Sequence, residues 1–141
     1  MMELPTSYMN HLADHTIFIS ALLGGFSLTV LVMLLNQEKR TRVYTAVFCA
    51  ATIGVSCFLI SIFSMTNILM KTTEGYPLPV SPEDLTISRI LGILCFYLGL
   101  IAVNALIGLV GWMQSKWLGW FTTLITIIVL MSIFVLSISV G

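Results

Sequence analysis

The chain has 141 residues, of which 58% are hydrophobic and only 9% are charged, and its formal net charge is zero. Because soluble domains usually carry about 25% charged residues, this composition excludes a domain that is surrounded by water. The neutral balance also offers no basic surface for nucleic acid, so we expect no nucleic-acid partner. The composition predicts an integral membrane protein whose first partner is the lipid bilayer.

Four segments of the chain lack Asp, Glu, Lys and Arg, and each is long enough to cross a bilayer. A helix needs about 20 apolar residues to span ~30 Å of hydrocarbon. The apolar runs are continuous and do not alternate with period two, which favours helices over barrel strands. We therefore predict an all-α integral membrane protein: a single domain over 1–141 with four transmembrane helices in two antiparallel hairpins. The predicted spans are 16–37, 43–70, 90–115 and 117–141, with an outer loop at 71–89.

The charges between the spans predict the orientation in the membrane. The first linker carries Lys39, Arg40 and Arg42, and the last turn carries Lys116, whereas the outer loop is richer in acids. By the positive-inside rule, these two basic linkers face the cytoplasm and both termini face outward. We expect the protein in a bacterial inner membrane or a plasma membrane. Three tryptophans surround Lys116, as in an aromatic belt at a membrane interface: Trp112, Trp117 and Trp120.

The outer loop is the one sizeable segment between the predicted spans. Prolines at 77, 79 and 82 stiffen it. Its last residues read SPED, which predicts a helix start with Ser81 as N-cap and Pro82 at the first helical position. We therefore expect a short extension of the third helix to begin near Ser81.

The spans carry little of the chemistry that transport or catalysis requires. No charged side chain lies within any of them. Proton relays and ion-coupled carriers generally need an intramembrane carboxylate, lysine or histidine, so this composition argues against a pump or a coupled transporter. The chain contains no Ser-His-Asp set, phosphate-binding loop or haem motif. We predict no enzymatic activity and no cofactor.

The stretch HLADH at 11–15 is the candidate metal site. On a helix, His11 and His15 lie one turn apart, with Asp14 about one position round. Imidazoles with this spacing can converge on a zinc ion, but a usable site needs a third or fourth ligand, and the chain has no other histidine. We favour a solvated helix start in which Asp14 complements the helix dipole. Metal binding by these three residues and pH sensing by the histidines stay open as alternatives.

Small and polar residues form a row on one face of each of the first three helices. In lipid, small residues allow close backbone approach, and Ser, Thr and Asn supply interhelical hydrogen bonds of roughly 0.6–2 kcal/mol. We favour intramolecular packing for these rows, with a hydrated path between subunits as the alternative. The rows are Thr16, Ser20, Gly24 and Ser27; Thr45, Cys49, Thr52 and Ser56; and Tyr97, Asn104, Gly108 and Gly111.

Three further predictions follow from the apolar sequence of the spans, for Asn104, for the fourth helix and for the cysteines. Asn104 is a strongly polar side chain at mid-depth, so we expect it to find a partner and to act as structural glue. The fourth helix is mostly Ile, Val and Leu after its first turns and is predicted to face lipid. The three cysteines lie in apolar runs without a C-x-x-C pair, which predicts buried free thiols: Cys49, Cys57 and Cys95.

The segment SALLGGFSLTVLVMLL at 20–35 resembles the pore-lining first helix of the Orai calcium-channel family, which reads S-A-L-L-S-G-F at the matching position. That family shares the four-span plan. The resemblance implies a helical oligomer whose first helices surround a central pore. It further implies that Phe26 is a hydrophobic gate residue, that Gly25 is a gating glycine, and that Thr29 replaces a gate valine.

The chain departs from that family at three features. Met33 stands where the family has its selectivity glutamate, and Phe18 and Asp14 stand where it has basic residues. The predicted orientation in the membrane is also the opposite one. Calcium selectivity is therefore not implied by the resemblance, which covers about seven well-aligned residues.

These observations lead to one leading hypothesis and one rival. The first is a homo-oligomeric, channel-like or pore-forming membrane protein without its own catalysis, in which the first helix lines the axis. The rival is a non-catalytic membrane scaffold or accessory subunit that binds other membrane subunits. The residues expected to form the pore wall or the helix contacts are Ser20, Gly24, Gly25, Phe26, Ser27, Thr29 and Asn104.

Overall fold

The computed structural model describes residues 6–36, 41–73 and 82–140, and nearly all of these residues are α-helical. Continuous apolar sequence without internal proline lets each helix run over many turns. This architecture confirms the predicted all-α fold with four helices in the described ranges. The helices are α1 (Thr6–Leu35), α2 (Arg42–Thr72), α3 (Pro82–Gln114) and α4 (Lys116–Val140).

Each helix is long and apolar enough to cross a membrane. The chain is therefore a small integral membrane protein, and its apolar helices are suited to contact with a lipid bilayer. The candidate spans agree with the predicted ones, apart from their ends. They are Tyr8–Leu35, Arg42–Thr72, Leu85–Gln114 and Lys116–Leu136.

The first and third helices begin well before the predicted spans. α1 begins at Thr6 instead of Thr16, because the rule that a span contains no charge stops at Asp14, whereas a helix continues through a charged residue. α3 begins at Pro82, the first helical position that the SPED motif predicts. Ser81 itself lies outside the described residues.

The chain divides into two compact units. Unit 1 comprises Met1–Phe26 and Val55–Gly99, and unit 2 comprises Ser27–Gly54 and Leu100–Gly141. Parts of α1, α2 and α3 contribute to each unit, while α4 belongs to unit 2 alone.

The core of unit 1 is built around Phe58 of α2, which is completely buried. Glycines of two other helices make room for it. A Cβ added to Gly24 of α1 would lie 3.3 Å from the Phe58 Cβ, and one added to Gly99 of α3 would lie 2.8 Å from its Cε1. A large ring therefore occupies space that these two helices leave by having no side chain there. A second cluster of unit 1 contains Ala13, Met65 and Ile68.

The core of unit 2 joins α1, α2 and α3 around a buried tyrosine of α2. Tyr44 is buried, and its hydroxyl donates a hydrogen bond of 2.9 Å to the carbonyl of Leu34. Leu34 lies in the last turn of α1, where carbonyls have no backbone N–H donor within the helix. The Tyr44 hydroxyl supplies that donor. The buried residues of this core are Leu34, Tyr44, Val47, Ala51 and Leu106.

Within unit 2, α4 packs on α3 through glycines and threonines. A Cβ added to Gly111 would overlap the Thr122 hydroxyl, and one added to Gly108 would lie 3.5 Å from the Thr126 hydroxyl. The Thr122 hydroxyl also contacts the Gly108 carbonyl at 3.1 Å. The larger apolar side chains of α4 are mostly exposed, in agreement with a helix that faces lipid.

Candidate functional site

The row of small residues on α1 is covered by the chain itself. In unit 1, Ser20 is completely buried, and its hydroxyl donates to the Ser61 hydroxyl of α2 at 3.5 Å. Ser61 in turn donates to the Gly92 carbonyl of α3 at 3.0 Å. In unit 2, Ser27 is also buried. Intramolecular packing is therefore the role that the structure gives this row, and Ser20 and Ser27 offer no surface to another molecule.

Other residues of the same α1 segment are exposed. Phe26 has 54% of its surface accessible, and Thr29 is also exposed. A Cβ added to Gly25 would have no neighbouring atom within 4 Å. These three residues are consequently the part of the predicted α1 site that another helix can reach.

The row on α3 is divided between exposed and buried positions. Tyr97 is exposed, whereas Gly108 and Gly111 are buried, where they allow α4 to approach in unit 2. Asn104 is buried, and its Nδ2 donates to the Leu100 carbonyl at 2.9 Å. The predicted partner of Asn104 is thus present, although it lies in the same helix.

The row on α2 differs from the other two because all four of its members are exposed. We call it the α2 polar face; it consists of Thr45, Cys49, Thr52 and Ser56. The prediction of intramolecular packing is wrong for this row. Helical periodicity shows which residues share a face, but it does not show whether the face points into the protein.

The two threonine hydroxyls of the α2 polar face donate to carbonyls four residues earlier in the chain. Thr45 donates to the Thr41 carbonyl at 3.5 Å, and Thr52 donates to the Phe48 carbonyl at 2.9 Å. A hydroxyl has two acceptor lone pairs in addition to its one hydrogen. These threonines therefore present acceptor oxygens outward from a membrane-spanning helix.

The three cysteines are free, but only Cys95 is buried; Cys57 is half-buried and Cys49 is exposed. The prediction of a buried thiol is therefore wrong for Cys49. Its apolar sequence neighbours predicted burial, yet its position on the α2 polar face turns it outward. Cys49 becomes the one natural thiol that can report on the surroundings of this face.

Within HLADH, His11, Asp14 and His15 are exposed on α1, whereas Ala13 is buried. Among the described residues, no three His, Cys, Asp or Glu side chains come together to hold a metal ion. The exposure of His11 and His15 agrees with a solvated helix segment. The dipole role for Asp14 is wrong, because α1 begins at Thr6 and the dipole effect is confined to the first turn.

No protein-family model matches this chain, and no curated protein or solved structure matches it significantly. Arguments about its function therefore depend on its own residues. The similarity of 20–35 to the Orai first helix stays a prediction.

Proposed function

We propose that the protein is a homo-oligomeric, channel-like membrane protein without its own catalysis, in which the α2 polar face meets a neighbouring copy or lines a hydrated path. The observation that supports this proposal is the exposure of all four members of that face on a membrane-spanning helix. Hydrocarbon tails cannot donate hydrogen bonds to the exposed hydroxyl oxygens. Water or a second helix can donate such bonds.

The shape of the α2 polar face also favours close contact between helices. Thr, Cys and Ser are small, and interfaces between membrane helices are enriched in small residues that let the backbones approach. A ring of such faces would expose hydroxyl groups to water without any fixed charge. Such a path would be uncoupled, in keeping with the lack of charged residues within the spans.

The exposed residues of α1 provide a second contact for assembly. Gly25 leaves an open space on the helix surface, and Phe26 projects beside it. A neighbouring copy can place an apolar side chain over Gly25, and this arrangement would bring first helices together as the Orai resemblance implies. In this proposal, both termini face outward, in a plasma membrane or a bacterial inner membrane.

Reactivity of Cys49 with a charged thiol reagent tests the hydrated path. Thiols react as thiolates, which form where water solvates them, so a charged reagent modifies Cys49 if it faces water. The protein is reconstituted in liposomes, and ion flux and modification are measured for the wild type and for C49A. The matched control places the thiol one position beyond Thr52, as I53C in the C49A chain. Ile53 is also exposed on α2 but lies outside the α2 polar face, about 40° round the helix from Cys49 and about 100° from Thr52.

We expect the wild type to form a closed oligomer that passes small ions, and we expect the reagent to block the flux. C49A should conduct but resist block, and the I53C variant should react more slowly than the wild type. A chain that stays monomeric until another protein is co-expressed would refute the proposal in favour of an accessory subunit. Reaction of Cys49 with lipid-soluble reagents alone would show that the α2 polar face contacts lipid.

A further inference from the structure

The turn between α3 and α4 lies at a membrane surface. α3 ends at Gln114 and α4 begins at Lys116, so a single residue, Ser115, separates two helices that are each long enough to cross the bilayer. A chain that reverses direction this sharply between two spans must do so outside the hydrocarbon, where water satisfies the free backbone groups. The exposed side chains at this turn therefore meet the headgroup region.

One tryptophan of this turn is held in place by α4. The Trp112 Nε1 donates to the Thr123 hydroxyl at 3.1 Å. Its ring lies against Gly119, where an added Cβ would be 2.6 Å from the ring Cδ2. The ring centroids of Trp112 and Trp120 are 6.4 Å apart. The Trp112 ring, which α4 holds in place, therefore packs beside the Trp120 ring, and the two rings form an aromatic cluster at the turn.

The other two tryptophans are open to their surroundings. Trp117 is 79% exposed and Trp120 is 71% exposed. The Trp117 ring stacks in parallel on Phe121, with centroids 6.4 Å apart and an interplanar angle of 1°. An indole carries one hydrogen-bond donor and no acceptor, and its apolar ring suits the boundary between headgroups and acyl chains. Both rings therefore present a donor beside an apolar surface.

The charge at this turn has one sign. Lys116 is exposed, and it is the only Asp, Glu, Lys or Arg in residues 90–141. Its ammonium group carries three donors and no acceptor. We call Lys116, Trp117 and Trp120 the indole–lysine surface. Its charged group and its two indole N–H groups all donate hydrogen bonds, so its hydrogen-bonding groups complement an anion.

We infer that the indole–lysine surface binds the headgroup of an anionic phospholipid. The Lys116 ammonium pairs with the headgroup anion, the indole N–H groups donate to lipid oxygens, and the Trp117–Phe121 stack packs beside the upper acyl chain. This inference does not depend on the proposed channel. A lysine near an anionic membrane surface is worth about 1 kcal/mol, which corresponds to about a fivefold preference over a zwitterionic lipid.

The sequence makes this site measurable without a label. All three tryptophans of the chain lie within 112–120, so tryptophan fluorescence, excited selectively over tyrosine, reports on this turn alone. The protein is reconstituted in mixtures of phosphatidylcholine and phosphatidylglycerol in which either lipid carries bromine on its acyl chains as a quencher. The two quenching curves give the relative affinity of the turn for the two lipids. We expect about a fivefold preference for phosphatidylglycerol that weakens as salt is added.

Two substitutions separate charge from packing. K116Q should bring the ratio of affinities close to one, whereas the matched variant K116R should retain the preference. Equal quenching by both lipids in the wild type would overturn the inference. An unchanged preference in K116Q would also overturn it, by assigning the selectivity to the basic first linker. Absence of quenching by either lipid would show that a protein, and not lipid, covers the tryptophans.

Discussion

Unit 1 and unit 2 hold their helices together by different means. Unit 1 inserts one large side chain, Phe58, into space left by Gly24 and Gly99. Unit 2 brings α3 and α4 together by the reverse arrangement, in which Gly108 and Gly111 allow small threonines to touch the neighbouring helix. Because lipid tails are as apolar as the side chains they replace, packing in a membrane depends on such shape complementarity more than on exclusion of water.

This contrast predicts different sensitivities at the Phe58 contact of unit 1 and at the α3–α4 contact of unit 2. Unit 1 should be sensitive to removal of volume at the position where a ring fills a gap. Unit 2 should be sensitive to addition of volume where helices meet without intervening side chains. The substitutions below test that contrast, with the free energy of unfolding measured in micelles titrated with a denaturing detergent.

The largest effect is expected from F58A in unit 1. Removal of the ring leaves a cavity between three helices, and we expect a loss of roughly 3 kcal/mol, at the lower end for a buried Phe because the unfolded helices stay in lipid. The control is F63A, since Phe63 lies on the same helix but is 74% exposed. If both variants lost the same stability, Phe58 would have no special role in unit 1.

A smaller effect is expected from G111A in unit 2. The added methyl group would overlap the Thr122 hydroxyl and approach the Leu118 carbonyl at 2.9 Å, so we expect a cost of about 1–3 kcal/mol from overpacking. The matched control is G25A, where the methyl group meets open space. That variant should gain about 0.5–1 kcal/mol from improved helix propensity. A gain in stability for G111A would contradict the close approach of α4.

Removal of the Tyr44 hydroxyl in unit 2 should cost about 1 kcal/mol. Y44F keeps the ring in the core but leaves the Leu34 carbonyl at the end of α1 without its donor. Y8F is the control, because Tyr8 is an exposed tyrosine near the start of α1, the helix that also contains Leu34. Equal stability of Y44F and the wild type would mean that water satisfies this carbonyl.

The smallest effect is expected from S61A in unit 1, at about 0.6 kcal/mol. The Gly92 carbonyl loses a donor and Ser20 loses its acceptor, but the shape of the core changes little. T52A is a suitable comparison, since the Thr52 hydroxyl bonds only within α2 among the described residues. A loss near 3 kcal/mol for S61A would show that hydrogen bonds, and not Phe58, dominate unit 1.

The number, type and approximate extent of the helices could be predicted, because a charge-free apolar run is a strong signal. The core residues could not. Phe58 and Phe63 lie in the same charge-free run, which carries serines near both of them, so hydrophobicity along the helix does not distinguish the buried ring from the exposed one. The role of the glycines at 24 and 99 can be assigned only when the ring that they accommodate is known.

The candidate site was predictable in part, for a related reason. The rows on α1 and α2 both repeat small and polar residues at steps of three or four, yet Ser20 is buried and Thr52 is exposed. Spacing determines which side chains share a face, whereas the neighbour of that face depends on helix packing across the whole chain. A row of polar residues in a membrane helix thus predicts a contact without predicting whether the contact is internal.

The hydroxyl groups that bond within their own helices also bear on how the protein is made. Thr52 and Thr66 donate to carbonyls one turn back, at 2.9 and 2.8 Å, so these donors are satisfied as soon as α2 forms. These two donors of α2 therefore need no partner from another helix when α2 enters lipid. Ser61 is different, because its acceptor is the Gly92 carbonyl of α3. That bond forms only after α3 has been synthesised, inserted and paired with α2.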